Sequence, residues 1–190
     1  MIDCWRNEEN IMFYVSAITD KAPLQTTSKL QALVYQKLAE WGIPFERANT
    51  DVAVTMEDCA TIDAKLHMKM VKTLFLCDES KEHFYLFITA GDKRFVGKAF
   101  SEQRGCPRVS FAPVALFESM LGAPIGAATV FSVLLDESQR IQVVFDQSVA
   151  SEEYYGCSDG TTTCFMKTKT KDILHKFLVK AHHEARIIQD

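Results

Sequence analysis

Apolar side chains recur along this chain with two different spacings, one helical and one extended, and together they divide it into elements. Leu30, Leu33, Val34, Leu38 and Trp41 fall on one helical face behind Ser28, which is suited to cap a first turn, and Gly42 stops the run. This predicts an amphipathic cover helix. Ile43–Arg47 reads as a short strand. Thr55 and Asp58 have the spacing of a capping box and open a second helix with Met56, Cys59, Ile62 and Leu66 inward. Met70–Leu76 comes next as an apolar run bounded by Lys69 on one side and by Asp78 and Glu79 on the other. Such a run predicts a strand buried on both faces, with Lys72 where the core begins. After a polar turn over 78–82, Phe84–Ile88 is a second buried strand, so the two form an antiparallel hairpin.

Further along, a turn at 91–94 precedes a short helix over Lys98–Arg104 that Gly105 ends. Pro113 begins another, with Leu116, Phe117, Met120 and Leu121 on one face and Gly122 closing it. The glycine-bearing segment 122–129 leads into a predicted strand Val130–Leu135, a turn at 136–138 and a strand Ile141–Phe145. The chain ends with the glycine turn 156–160, a strand Thr162–Met166, a helix from Thr170 with Ile173, Leu174, Phe177 and Leu178 inward, and a strand Ala185–Ile188. Antiparallel strands interleaved with helices make an α+β or mixed α/β domain, its core sheet built from 71–77, 84–88, 130–135 and 141–145. Residues 1–27 show no sustained period; Ile11–Val15 is a short strand or a helical turn, and Ala22-Pro23 breaks the chain's regularity before the first helix. The expected organisation is an N-terminal extension over 1–27 packed on one domain over 28–190.

Composition narrows the partners. A chain of 190 residues with 47% hydrophobic content supports one full core. Its net charge of -4 supplies no overall basic field, so a nucleic acid would have to be held by a local patch; DNA and membrane partners are not expected. Cys4, Cys59, Cys77, Cys106, Cys157 and Cys164 are scattered without a C-x-x-C pair, as ordinary reduced thiols are. Acids at Asp3, Glu8 and Glu9 and the lack of a long apolar run speak against a signal peptide or a membrane span, giving a cytoplasmic expectation.

The common catalytic signatures are missing: the sequence has no G-x-S-x-G elbow, P-loop or G-x-G-x-x-G. His175, His182 and His183 do not share a helix face, so no metal or cofactor is expected. Cys157 and Cys164 flank a glycine turn and are more simply buried small hydrophobes than a redox pair. Two features remain. Lys72 sets an ammonium at the mouth of an apolar strand, although a lysine so placed is more often solvated than functional. The segment 122–129 is rich in small residues, so its backbone N–H groups can approach an anion or a developing oxyanion closely; a helix cap followed by a turn explains the same composition.

The order of Thr55-Met56-Glu57-Asp58, Lys72-Thr73-Leu74-Phe75-Leu76, Gly91-Asp92-Lys93, Ser110-Phe111-Ala112, the Gly126 loop, Gly156-Cys157 and Lys169-Thr170-Lys171-Asp172-Ile173 resembles the YbaK family of aminoacyl-tRNA deacylases. The pattern is most similar to its freestanding prolyl-tRNA deacylase branch, ProX or PrdX, which is related to the editing insertion of bacterial prolyl-tRNA synthetases. The likeness runs from about Ser28 to Asp190. It implies a YbaK-like, largely antiparallel sheet curled into a barrel-like core with helices around it, and a pocket that hydrolyses amino acids wrongly attached to proline tRNA. The family's strand lysine corresponds to Lys72, with Thr73 beside it. Its G-x-x-x-P loop corresponds to Gly126, Ala127, Ala128 and Thr129, with Val130 in the proline's place. Its G-x-H-P-x-x-N-T pattern corresponds to 156–163, where Gly156 and Thr163 are kept and histidine, proline and asparagine are Ser158, Asp159 and Thr162. The implied partners are an aminoacyl-tRNA and prolyl-tRNA synthetase, with Lys65, Lys69, Lys93, Arg94, Lys98 and Arg104 as candidate tRNA contacts. The three replaced side chains leave a second reading open, a non-catalytic sensor that binds an amino acid or charged tRNA.

Overall fold

The computed structural model describes residues 13–53 and 55–189. Ser28 caps the first helix as expected: its side chain accepts the N–H of Gln31, and α1 (Lys29–Glu40) buries Leu30, Val34, Tyr35 and Leu38. β1 (Glu46–Asn49) lies later than the predicted 43–47, because Pro44 has no N–H for a ladder. The Thr55–Asp58 capping box forms in both directions and starts α2 (Met56–Leu66). Next come β2 (Val71–Asp78), β3 (Phe84–Ala90), α3 (Gly97–Arg104), β4 (Val109–Phe111) and α4 (Val114–Leu121). β5 (Ile141–Asp146), α5 (Gln147–Ala150), β6 (Tyr154–Ser158) and β7 (Cys164–Lys169) come after them. A C-terminal helix over 170–180, π-wound across Ile173–Phe177, leads to β8 (Ala185–Ile188).

The strands form two sheets, β4-β2-β3-β5-β8 and β1-β7-β6. The β2–β3 hairpin is antiparallel, whereas β3–β5 and β5–β8 are parallel, so the class is mixed α/β. The sheets meet at a bridge between Met70 and Gly156; among the described residues no ladder closes them into a full barrel. Alternation along β3 explains why it is buried from Phe84 to Thr89. Phe84, Leu86 and Ile88 face the main core under α1, α4 and the C-terminal helix, while Tyr85 and Phe87 face a smaller core with Phe100 of α3. Val71–Leu74 of β2, by contrast, are only half-buried, so its first half is not covered on both faces.

One predicted strand is corrected. Val130–Leu135 is a 3-10 helix, capped by Thr129, whose hydroxyl accepts the N–H of Phe131. A short apolar run cannot be assigned by periodicity alone, and here packing decided it. Phe131 meets Phe177 edge-on at 4.9 Å, with Leu30 and Phe117 in the same core. β5 therefore pairs in parallel with β3 and has no hairpin partner at 130–135. The predicted strand 162–166 begins at Cys164, and the first half of the expected glycine turn 156–160 belongs to a strand over 154–158. Tyr14–Lys21 lie along β1, with Ser16 N–H donating to Asn49 O and Thr19 and Arg47 exchanging backbone bonds. Of the segment predicted over 11–15, residues 11 and 12 lie outside the described residues, and Val15 bridges Thr50. Among the described residues no helix is long and apolar enough to cross a membrane.

Candidate active site

Where the two sheets meet, α2, the start of β2, the 122–129 loop, α5 and β6 enclose a cavity of about 930 Å³. Of the residues singled out in the sequence, Lys69, Lys72, Thr73, Gly126, Ala128 and Ser158 line it. These positions are up to 89 residues apart (Lys69 to Ser158), and only the junction of the sheets brings them together.

Lys72 enters from the start of β2, opposite Thr89 of β3. Its ammonium donates to the carbonyl of Lys93 at 2.7 Å, which ties it to the turn after β3. The Lys93 side chain reaches the buried Asp146 carboxylate at 2.6 Å, and Thr89 donates to that same oxygen. Burial works to raise the Asp146 pKa, but the Lys93 ammonium and the bonds from Ser148 hold it below the usual carboxylate range. Lys72 is thus held in place by its neighbours.

Across the cavity, Gly126 has φ of +91°, a conformation that a residue with a Cβ rarely adopts. Ala127, fully buried, uses its N–H to close a turn onto Pro124 O at 3.0 Å. The N–H groups of Gly126 and Ala128 make no protein hydrogen bond among the described residues, which leaves them as the loop's available donors. Ser158 braces this loop by donating to Ala127 O at 3.1 Å, and accepts from Gly160 N–H. Thr129 does not reach the cavity: it is buried, capping the 3-10 helix and donating to the Cys157 sulfur.

Three further candidates lie outside the lining. Gly156 occupies the sheet junction, where a Cβ would sit 2.6 Å from Met68 Sδ and 2.9 Å from Lys69 O, so close approach of the sheets accounts for this glycine. Thr162 borders the Gly126 loop, its methyl 4.0 Å from where a Gly126 Cβ would stand. Thr163 is exposed, and its carbonyl accepts Thr50 N–H. Asp159, which stands where the resembled pattern has proline, is fully buried and accepts from Gln31, Tyr35 and Thr161. It pins the 159–163 turn to α1. The other basic candidates are dispersed. Lys65 and Arg94 are exposed, Lys69 pairs with Glu152, Lys98 with Glu102, and Arg104 bonds Gln142 and lies over the Tyr85 ring.

Thr73 presents a buried hydroxyl without a hydrogen-bond partner among the described residues. The Tyr155 phenol behind it is equally buried; the two interact electrostatically yet do not meet hydrogen-bond geometry. A buried hydroxyl so placed is costly unless a water or a ligand satisfies it. Cys157 and Cys59 also line the cavity, but burial pushes both thiols up and away from the nucleophilic thiolate. Cys164, pushed up to about 12 by burial, is inert as well. His183 is buried, with Nε2 3.2 Å from Asp136 and Nδ1 2.7 Å from Ala181 O.

Asp63 escaped notice in the sequence. It lies on α2 one residue from the buried Ile62 and four from Cys59, so an acid on the inward face of the helix was the available signal. It accepts Met70 N–H at 2.9 Å, and burial pushes its pKa up to about 6.

Known proteins are similar to this chain in sequence and in fold. The sequence signature of the aminoacyl-tRNA editing domain matches residues 50–175. The prolyl-tRNA editing protein ProX of Acetoanaerobium sticklandii is 31% identical over 116 residues, 61% of this chain and 71% of that protein. Among solved structures, the hypothetical protein APE2540 superposes with a TM-score of 0.61 at 19% identity, covering 83% of this chain and 99% of its own. A structure described as a candidate trans-editing enzyme for prolyl tRNA synthetase gives 0.61 at 15% identity, covering 87% and 99%. At these identities the two structures speak for the fold alone.

Proposed function

The chain belongs to the aminoacyl-tRNA editing family, and we propose that it is a trans-editing hydrolase whose substrate is proline tRNA carrying a small non-proline amino acid such as alanine, serine or threonine. The observation that carries this reading is the cavity that gathers Lys72, Thr73, Gly126, Ala128 and Ser158 and, among the described residues, holds no activated nucleophile. An aminoacyl ester on a ribose is already activated by the neighbouring hydroxyl, so positioning a water and stabilising the oxyanion are sufficient.

In this reading, water adds to the ester carbonyl, and the N–H groups of Gly126 and Ala128 and the Lys72 ammonium stabilise the oxyanion and the adjacent nucleotide. Collapse breaks the ester bond. The amino acid leaves as the free acid, and the ribose oxygen takes up a proton from the attacking water. Ser158 and Thr162, shorter than the histidine and asparagine of the resembled pattern, widen the pocket. Thr73 lines the same wall as Lys72, next to it on β2. Residues 28–190 would form the deacylase domain and 1–27 an extension on it. Lys65, Lys69, Lys93, Arg94, Lys98 and Arg104 would contribute tRNA contacts, and prolyl-tRNA synthetase would be the source of the mischarged tRNA.

The test is a panel of aminoacyl-tRNAs, correctly and wrongly charged, incubated with the protein while released amino acid is measured. Turnover of mischarged proline tRNA is expected, with prolyl-tRNA spared. Binding without turnover of any member would favour the non-catalytic sensor.

A further inference from the structure

A second cavity, of about 640 Å³, opens beside the first, and Phe111 at the end of the edge strand β4 lines both. Its ring is 61% exposed, unusual for a phenylalanine in a strand, and is steadied by an edge-on contact with Phe95 at 5.6 Å. Val114 and Ile125, both 56% exposed, line the first cavity on the same side. Single exposed apolar residues are ordinary, but three on the lining of one cavity form a patch that water covers poorly. The second cavity carries cations next to this patch: Arg108, exposed and without a partner among the described residues, and Lys98, held only by a loose 3.8 Å pair with Glu102.

We propose that Phe111 is a stacking platform for the terminal base of the substrate RNA, and that Arg108 and Lys98 in the second cavity take the phosphate on its 5′ side. This rests on the deacylase reading and deepens it. An ester seated between Lys72 and Gly126 leaves the terminal base at the rim of the first cavity. An unpaired base offers a π-face of any sequence, and an aromatic ring already fixed by Phe95 binds it without ordering cost. The path from ester to base to phosphate then runs through the two cavities in turn. The family resemblance does not single out Phe111 as a contact, and Arg108 was not among the basic residues picked out in the sequence.

The test compares kcat/KM for a charged tRNA with that for the ethyl ester of the same amino acid, which has no base or phosphate. Phe111→Ala should lower the preference for the tRNA about 5- to 150-fold through KM, the range expected for one stacked base, and Phe111→Trp should keep it. Arg108→Gln should reduce the salt dependence of KM by about one phosphate contact. An unchanged preference in Phe111→Ala overturns the platform while leaving the deacylase reading intact. If the wild type turns over no charged tRNA, the deacylase reading falls. Affinity for a CCA-ended RNA oligonucleotide then decides the platform separately: no binding, or equal binding by Phe111→Ala, overturns it.

Discussion

Removing the Lys72 ammonium tests the centre of the proposed chemistry, and the structure sets the size of the expected effects. In the fold, Lys72 makes one charge-assisted hydrogen bond, to Lys93 O at 2.7 Å. Both residues are half-buried, so water can replace the donor, and Lys72→Ala should cost only about 1 kcal/mol of the roughly 5–15 kcal/mol that keeps a domain folded. Catalysis should suffer far more. A preorganised charge that meets the oxyanion or the adjacent phosphate only in the transition state is worth about 10²-fold or more in rate, close to 3 kcal/mol. Single-turnover deacylation of mischarged proline tRNA, enzyme in excess, reads the chemical step, and thermal unfolding reads stability alongside it. Lys72→Met keeps the aliphatic stem but loses the same bond to Lys93 O, so it should behave like alanine in rate and stay within about 1 kcal/mol of the wild type in stability. A Lys72→Ala rate within about threefold of wild type would reduce Lys72 to a tie between β2 and the turn after β3.

Two further outcomes are expected. Ser158→His places an imidazole on the cavity wall beside Ala127 and should shift activity toward alanine over serine and threonine by about tenfold, measured on the three mischarged tRNAs; strict alanine specificity in the wild type, or an unchanged profile in the variant, shows that residue 158 does not shape the pocket. Asp63, raised to about 6 by burial from an unfolded value near 4, binds its proton more tightly when folded, so the stability it contributes is complete below about pH 4 and lost as pH rises through 6. Asp63→Asn keeps the acceptor for Met70 N–H and removes the buried charge, so it should stabilise by about 1 kcal/mol at pH 7.5, after allowance for partial exposure, and by nothing at pH 4; a lower melting temperature at pH 7.5 contradicts this.

The sequence by itself determined the local elements whose signals are carried within a few residues. The Ser28 cap, the Thr55–Asp58 capping box and the β2–β3 hairpin all arise from side chains that meet their own neighbours. The motifs also picked out Lys72, Thr73, Gly126, Ala128 and Ser158 before any contact among them was known. Tertiary structure alone decided what depends on distant partners. The run 130–135 became helical because Phe177 and the rest of the main core cover it on several sides, and β5 turned parallel because β3 offered the open edge. Whether a matched residue faces the cavity was equally nonlocal: Gly156 serves the approach of two sheets, Thr129 caps a helix, and Ala127 spends its N–H on Pro124. Asp63 lies in no motif, and Phe111 stands in the matched Ser110-Phe111-Ala112 with no role attached to it there. Their placement at the cavity depends on how α2 packs beside the start of β2 and the edge strand β4 pairs with its end, and pattern along a single chain cannot encode which side chains from separate elements share one space.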